Sequence, residues 1–328
     1  MSKLDELMEQ SPTLAVMDSF VIANSKINNP NYENIVASIS GGADSDLVLD
    51  ILSKLDSDKK TQYIFFDTGL EYQATKDHLK YLEDKYGIEI KVEKAVKPIP
   101  TCCRTYGQPF LSKQVSEFIS RLQRHDFKWE DKPLGELLTE YPKCKASLRW
   151  WCNDWGANSK FNISYNKWLK EFMINTPPPH YISNKCCYYA KKFVAHKYKV
   201  ANNIHLSITG VRKSEGGARA TAYKNCFTYR QDDGEADEFR IIFWYTNDDK
   251  EAYENQFNIT HSKCYTEYGL KRTGCAGCPF GRDFEQELEV IEKYEPKLYK
   301  AVNKIFGDSY EYTRKYREFV KRMEESNK

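Results

Sequence analysis

The sequence predicts an α/β fold in which a parallel sheet carries helices on both faces, and three observations predict it. An apolar run (Ile35, Val36, Ala37, Ile39) breaks at Ser40-Gly41-Gly42-Ala43-Asp44-Ser45, after which apolar residues recur at 47, 48, 51, 52 and 55. That is the spacing of a strand, a tight loop and a helix. A second run, Tyr63-Ile64-Phe65-Phe66, ends in Asp67-Thr68-Gly69 and leads into a helical stretch from Tyr72 to Tyr86, with a further strand expected from Glu89 to Val92. Strands alternating with helices pair in parallel, because the crossovers place the helices on the sheet faces. Beyond the middle of the chain, His205-Leu206-Ser207-Ile208-Thr209 reads as one more strand, so the sheet resumes there.

Composition bounds the class. The 328 residues suffice for one large domain or two ordinary ones, and a 41% apolar content can fill a sizeable core. Lys and Arg number 49 against 47 Asp and Glu, a net charge of +2, so no global field recruits nucleic acid. No apolar run approaches the ~20 residues of a membrane span, and residues 1–30 lack a signal-peptide core. The expectation is a cytoplasmic protein with no membrane partner. Ten cysteines in that compartment point to metal binding, catalysis or burial rather than to disulfides.

Taken in order, residues 1–30 read as a helical extension and connector, closed by Asn28-Asn29-Pro30. After the first strand, which ends at Ser38, the paired Gly41 and Gly42 let the backbone approach a ligand closely. The free N–H groups and positive end of the following helix favour an anion there. Ser40 and Ser45 add hydroxyl donors. The alternative is an ordinary strand-to-helix turn, since the loop lacks the lysine of the classical P-loop. Asp67, Thr68 and Gly69 would lie at the same carboxyl edge of the sheet, where ligands of such folds bind. Asp67 is read either as a helix cap or as a contact to ribose or magnesium.

Residues 97–113 hold three prolines and the adjacent Cys102 and Cys103 without periodicity, and are expected to form a loop over the sheet edge. Arg104 and Lys113 are candidate phosphate contacts, Lys113 supplying the cation that Ala43 does not. One or two helices are expected across 114–141. Trp150 and Trp151 are most simply core residues, with stacking on adenine as the alternative. Pro177 to Pro179 is a stiff break. The segment from Gly210 to Arg219 carries Arg212 and Arg219, whose paired planar donors suit phosphate or sulfate and equally suit a structural ion-pair loop. Phe239 to Tyr245 reads as a further strand, and from Asp283 onward the spacing is helical.

The remaining signal is in sulfur. Cys186 and Cys187 are adjacent, and Cys275 and Cys278 form a C-x-x-C turn. Two such pairs supply four thiolates, which fit either zinc or a 4Fe-4S cluster, and spacing alone does not choose. Cys264 competes as the fourth ligand if only one of the tandem pair coordinates; free buried thiols are the third reading.

At this point the motifs resemble a family. SGGADS is similar to the SGGxDS signature of the PP-loop ATP pyrophosphatases, whose relatives include the phosphoadenosine phosphosulfate (PAPS) reductase family. DTG with Glu71 and Thr75, RWC at 149–152, GVRKSEGGAR against a GxRxxES motif, and Trp244 with Asp248 and Asp249 follow in the order of that family. The resemblance implies a Rossmann-like, adenine nucleotide alpha hydrolase-like sheet over 31–255, preceded by the extension 1–30 and followed by a helical, cysteine-rich region over 256–328. It implies nucleotide contacts from Ser38, Ser40, Gly41, Gly42, Asp44, Ser45, Asp67, Thr68, Gly69, Gly210, Arg212 and Arg219, and catalytic roles for Asp44, Lys113 and Arg212. The tandem pair followed by C-x-x-C resembles the site of the iron-sulfur sulfonucleotide reductases, which implies a 4Fe-4S cluster on Cys186, Cys187, Cys275 and Cys278 ahead of zinc.

The chain departs from the reductases in one respect. They carry a nucleophilic cysteine in a C-terminal ECGLH segment, and no cysteine follows Cys278 here. With the loop in its ATP-pyrophosphatase form, the resemblance implies ATP and Mg2+ as nucleotide and metal. The activity implied is adenylation of an acceptor with release of pyrophosphate in support of sulfur transfer. By analogy with relatives, the partners are a nucleic-acid acceptor and a sulfur-donor protein. The alternatives are a PAPS or APS reductase using Cys102 or Cys103, and a non-catalytic nucleotide-binding, cluster-bearing sensor.

Overall fold

Buried apolar residues on consecutive positions build the first strand: Ile35 and Ala37 are fully enclosed and Val36 nearly so, as a central parallel strand requires. This strand, β1 (Ile35–Ser38), pairs in parallel with β2 (Thr61–Asp67) on one side. On its other side it pairs in parallel with β4 (Leu206–Thr209). β3 (Ile90–Lys94) adds to β2, and β6 (Asp237–Arg240) adds to β4, both parallel. The short β5 (Phe227–Thr228) closes the edge antiparallel to β6. In this computed structural model, which describes residues 1–216, 222–230 and 235–326, the sheet order is β3-β2-β1-β4-β6-β5. The α/β class is therefore as predicted. Strand order reverses between β1 and β4, and the crevice outside their carboxyl ends is where such sheets take ligands.

The chain forms two compact units. Residues 1–96 and 190–275 make the first, which contains the whole sheet; residues 97–189 and 276–328 make the second. Each unit is discontinuous in sequence, so the expected divisions after residues 30 and 255 do not coincide with the unit boundaries. Nor is the N-terminal segment an appendage. Its second helix, Leu14–Ile27, buries Val16, Phe20, Ala23 and Ile27 completely in the core of the first unit. The core of the second unit gathers Phe110, Leu148, Trp150, Trp151, Phe172 and Tyr312. Both tryptophans are buried there, the simpler of their two readings.

Two expectations fail. Residues 97–113 are not a loop: Ile99–Tyr106 is a helix. Pro98 caps it and Pro100 stands in its first turn, where a missing N–H costs nothing and the fixed φ favours the helix. The last parallel strand ends at Arg240 rather than running to Tyr245. Residues 241–244 form a turn in which Phe243 N donates to Arg240 O and Tyr245 N to Ile242 O, although Ile241, Ile242 and Phe243 are all buried. An apolar run signals burial, and here burial is met by a turn.

Candidate nucleotide site

The site is built on the junction between β1 and the helix Ala43–Leu55. Gly41 adopts φ +66, and a Cβ there would stand 2.8 Å from Thr75 Cγ2, so the loop can pass over the helix Gln73–Tyr86 only with glycine. Gly42 caps the following helix. Ser45 Oγ accepts from Gly42 N at 3.1 Å and donates to Gly42 O at 2.7 Å, and Ser40 Oγ donates to it at 3.2 Å. Ser45 thus shapes the loop from within. The other face of Gly42 is crowded by hydroxyls: a Cβ there would meet Thr273 Oγ1 at 3.1 Å and the Ser40 and Tyr265 hydroxyls at 3.2 Å. Tyr265 OH accepts from Ala43 N at 3.2 Å, which places a hydroxyl oxygen at the positive end of the helix.

Around this face lies a polar cavity of about 390 Å3, lined by Ser38, Ser40, Gly42, Asp44, Ser45, Gly210, Arg212, Lys250, Lys271, Arg272 and Thr273 among others. Gly210, at the end of β4, approaches closely enough that a Cβ would lie 2.9 Å from the Asp44 carbonyl oxygen. Arg212 is buried, and its Nε donates to Asp44 Oδ1 at 3.0 Å while Nη1 bonds Ser214, Thr246 and Asn247. Lys250 Nζ reaches the same Asp44 oxygen at 3.2 Å. Asp44 therefore sits between two cationic side chains. Lys271 and Arg272 are exposed and make no ion pair among the described residues.

Behind the loop, the buried Asp46 accepts from His261 Nδ1 at 2.8 Å, and His261 Nε2 faces Glu254 Oε1 at 2.8 Å. Burial opposes a charge on His261, but its hydrogen bonds to the two carboxylates outweigh that and push its pKa up to about 9. His78 Nε2 lies 3.1 Å from the same Asp46 oxygen without hydrogen-bond alignment. A second cavity of about 390 Å3 shares Ser38, Ser40 and Thr273, and adds Ile39, Phe65, Phe66, Thr68, Glu71 and Lys191. Glu71 accepts from Thr68 N and Oγ1, and burial holds its carboxyl above the ordinary range despite those bonds.

Several expected residues stand elsewhere. Asp67 Oδ1 accepts from Gly69 N at 2.8 Å, a local turn bond, and neither residue is among those lining the two cavities described above. Lys113 belongs to the second unit, in the first turn of the helix Lys113–Gln123, and is not among the residues lining the polar cavity. Arg219 lies outside the described residues. Lys250, Lys271 and Arg272 were not expected. Only the last two carried a signal, as a basic pair two residues before the C-x-x-C turn.

The cysteines divide between the units. Cys275 belongs to the first, where Thr68 Oγ1 donates to its sulfur at 3.8 Å; Cys264 is fully buried there, 3.7 Å from Thr75 Oγ1. Cys186, Cys187 and Cys278 belong to the second unit, with Cys102 and Cys103. No group of three or more His, Cys, Asp or Glu side chains among the described residues is gathered tightly enough to hold a metal ion. Thiols are nonetheless the donor type that an iron-sulfur cluster or zinc requires.

A glycine-serine loop joining a central parallel strand to a helix at the switch point of the sheet is an arrangement that suits an anionic ligand. Residues 34–123, which span that loop, match the family described as phosphoadenosine phosphosulfate reductase domain. No curated protein matches the sequence. Similar solved structures include PAPS reductase from Candida auris in a phosphate complex (13% identity, covering 83% of this chain and 93% of that one, TM-score 0.43). The NH3-dependent NAD synthetase from Campylobacter jejuni in complex with nitrate is similar at 13% identity, 95% and 96% coverage and TM-score 0.38. The U34-tRNA thiolase NcsA from Methanococcus maripaludis with its 4Fe-4S cluster is similar at 12% identity, 94% and 79% coverage and TM-score 0.37.

Proposed function

We propose that the protein binds ATP with Mg2+, adenylates an oxygen of an acceptor with release of pyrophosphate, and so prepares that acceptor for sulfur. One observation carries the reading: the cavity over Gly42 is walled by Lys250 and by Lys271 and Arg272, which make no ion pair among the described residues, at a helix N-terminus. Those are the groups that lower the energy of a polyphosphate and of the charge that develops on a leaving pyrophosphate. In the reaction the acceptor oxygen attacks the α-phosphorus and the bond to the bridging oxygen breaks. Pyrophosphate leaves with that electron pair, and the acceptor proton passes to solvent. Gly42, Ser40 and the Ala43 N–H would hold the phosphates once Tyr265 yields its place. Asp44 is the carboxylate on the wall that would hold magnesium, which supplies charge neutralisation when bound. Arg212, already tied to Asp44, orients that carboxylate. The second cavity, with Ile39, Phe65, Phe66 and Thr68, offers an apolar slot for the nucleoside.

The tandem cysteines and the C-x-x-C turn supply thiols for a 4Fe-4S cluster, or for zinc. A nucleic-acid acceptor and a sulfur-donor protein complete the reading. Gly42→Ala is the test, because it fills the cradle without changing a charge or requiring a disallowed φ. Wild type should release pyrophosphate from ATP and Mg2+, and the variant should bind ATP at least ~10-fold more weakly with its fold intact by circular dichroism. Equal binding and release would reject the assignment. The family match over 34–123 favours one second reading, reduction of a sulfonucleotide; sulfite formation from PAPS with a thioredoxin as reductant would decide for it.

A further inference from the structure

Charged side chains of alternating sign run inward from the wall of the polar cavity. Lys250 Nζ stands 3.2 Å from Asp44 Oδ1 and 3.6 Å from Glu254 Oε1. Lys250 and Glu254 lie four residues apart on the helix Asn247–Phe257, so both project from one face of it. Glu254 Oε1 also meets His261 Nε2 at 2.8 Å, and His261 Nδ1 meets Oδ2 of the buried Asp46 at 2.8 Å. A carboxylate only accepts hydrogen bonds. A ring with a carboxylate oxygen at each nitrogen must donate from both, and only the imidazolium can do so. Burial works against that charge, but the two hydrogen bonds overcome it and raise the pKa to about 9.

The neighbouring groups do not replace His261. His78 Nε2, from the helix Gln73–Tyr86, lies 3.1 Å from Asp46 Oδ2 without hydrogen-bond alignment, and Asp46 Oδ1 has no hydrogen-bond partner among the described residues. Tyr265, from the short helix Lys263–Thr266, sets its ring 5.8 Å from that of His261 and turns its hydroxyl to Ala43 N and Thr273.

We propose that His261 is a positioning residue of the cavity: as a cation it balances Glu254, which leaves Lys250 to reach past that carboxylate to Asp44 and to an incoming polyphosphate. The proposal rests on the anion-binding part of the function proposed above. When His261 gives up its proton to solvent, the one remaining N–H stays with Asp46, because the buried carboxylate bears an unpaired charge least well. A lone pair then faces Glu254, and that carboxylate, no longer balanced, draws Lys250 away from the cavity. The affinity for a polyanion falls with the loss of a proton from a side chain that touches no ligand.

The test is the dissociation constant of inorganic tripolyphosphate, without metal, measured by calorimetry on the full chain. Wild type, His261→Gln, Glu254→Gln and the double variant are compared, each checked for its far-ultraviolet dichroism. At pH 7, His261→Gln is expected to bind ~10-fold more weakly than wild type. The double variant should recover wild-type affinity to within about 2-fold, because a neutral amide at 254 no longer draws Lys250. A His261 that merely held the fold would gain nothing from the second substitution. Between pH 7 and pH 10, wild type should lose ~10-fold more affinity than Glu254→Gln, a comparison that stands even if His261→Gln fails to fold.

Equal binding by folded His261→Gln and wild type at pH 7 overturns the proposal. So does a double variant as weak as His261→Gln, and so do parallel pH profiles for wild type and Glu254→Gln. The two readings fail distinguishably. Wild type that binds no tripolyphosphate at pH 7 rejects the anion cavity itself, and the positioning role with it, whereas wild type that binds beside an unaffected His261→Gln rejects the positioning role alone.

Discussion

Asp44 and Asp46, two residues apart on one helix, show what the surroundings do to a carboxylate. Asp44 faces the cavity and is neutralised by Arg212 and Lys250; Asp46 faces inward and is shared with His261. Because the folded-state pKa of His261 is raised to about 9 from an unfolded value of 6.5, its contribution to stability is complete below about pH 6.5 and disappears as pH rises through about 9. The shift corresponds to about 3 kcal/mol as an upper figure. Urea denaturation at pH 6 and pH 10 should therefore show wild type losing up to about 3 kcal/mol more than His261→Gln over that interval. Parallel pH profiles for the two proteins would remove the assignment of His261 as a cation clamped between carboxylates.

At the scale of the element, the helix Ala43–Leu55 does two jobs, and a residue one and a half turns from the loop secures the second. Its N-terminus lines the polar cavity, while Asp50 in its middle anchors it to two neighbours. Asp50 is 3% exposed and accepts from Tyr253 OH at 2.6 Å, from Tyr86 OH at 2.9 Å and from Lys54. Tyr86 ends the helix Gln73–Tyr86 and Tyr253 sits in the helix Asn247–Phe257, which also carries Lys250 to the cavity. Asp50→Ala would leave two buried hydroxyls and a half-buried ammonium without their acceptor. The expected loss is about 3 kcal/mol of unfolding free energy, measured by urea titration. A loss under about 1 kcal/mol would show that this carboxylate is not what holds the three helices in register.

For the whole molecule, the near balance of charge, +2, leaves ligand attraction to the local cluster of Lys250, Lys271 and Arg272 rather than to a long-range field. A ligand held only by the folded first unit must stabilise that unit by mass action. ATP with Mg2+ at ~100 times its Kd should add about 2.7 kcal/mol and raise the melting temperature by several degrees, and PAPS should do so less. No rise with ATP at millimolar concentration, or a larger rise with PAPS, would turn the nucleotide assignment around.

What was legible from the residues alone is what depends on neighbours in sequence. Burial of Ile35 to Ile39, the conformational demands of Gly41 and Gly42, and the helical spacing that follows are local matters, and they were enough to predict the sheet class and the strand-loop-helix junction. The grouping of side chains from distant segments was not legible, because packing alone brings it about. Arg212 reads as an anion contact in sequence and is spent on Asp44 in the fold; Lys250 reaches the cavity without any pattern that marks it. The C-x-x-C turn is visible as text, yet the packing of the helix Ile99–Tyr106 on the turn Lys185–Cys187 is not. Prolines had made that helix look like a loop. Periodicity records which face of a segment avoids water, and it carries no information about which other segment covers that face.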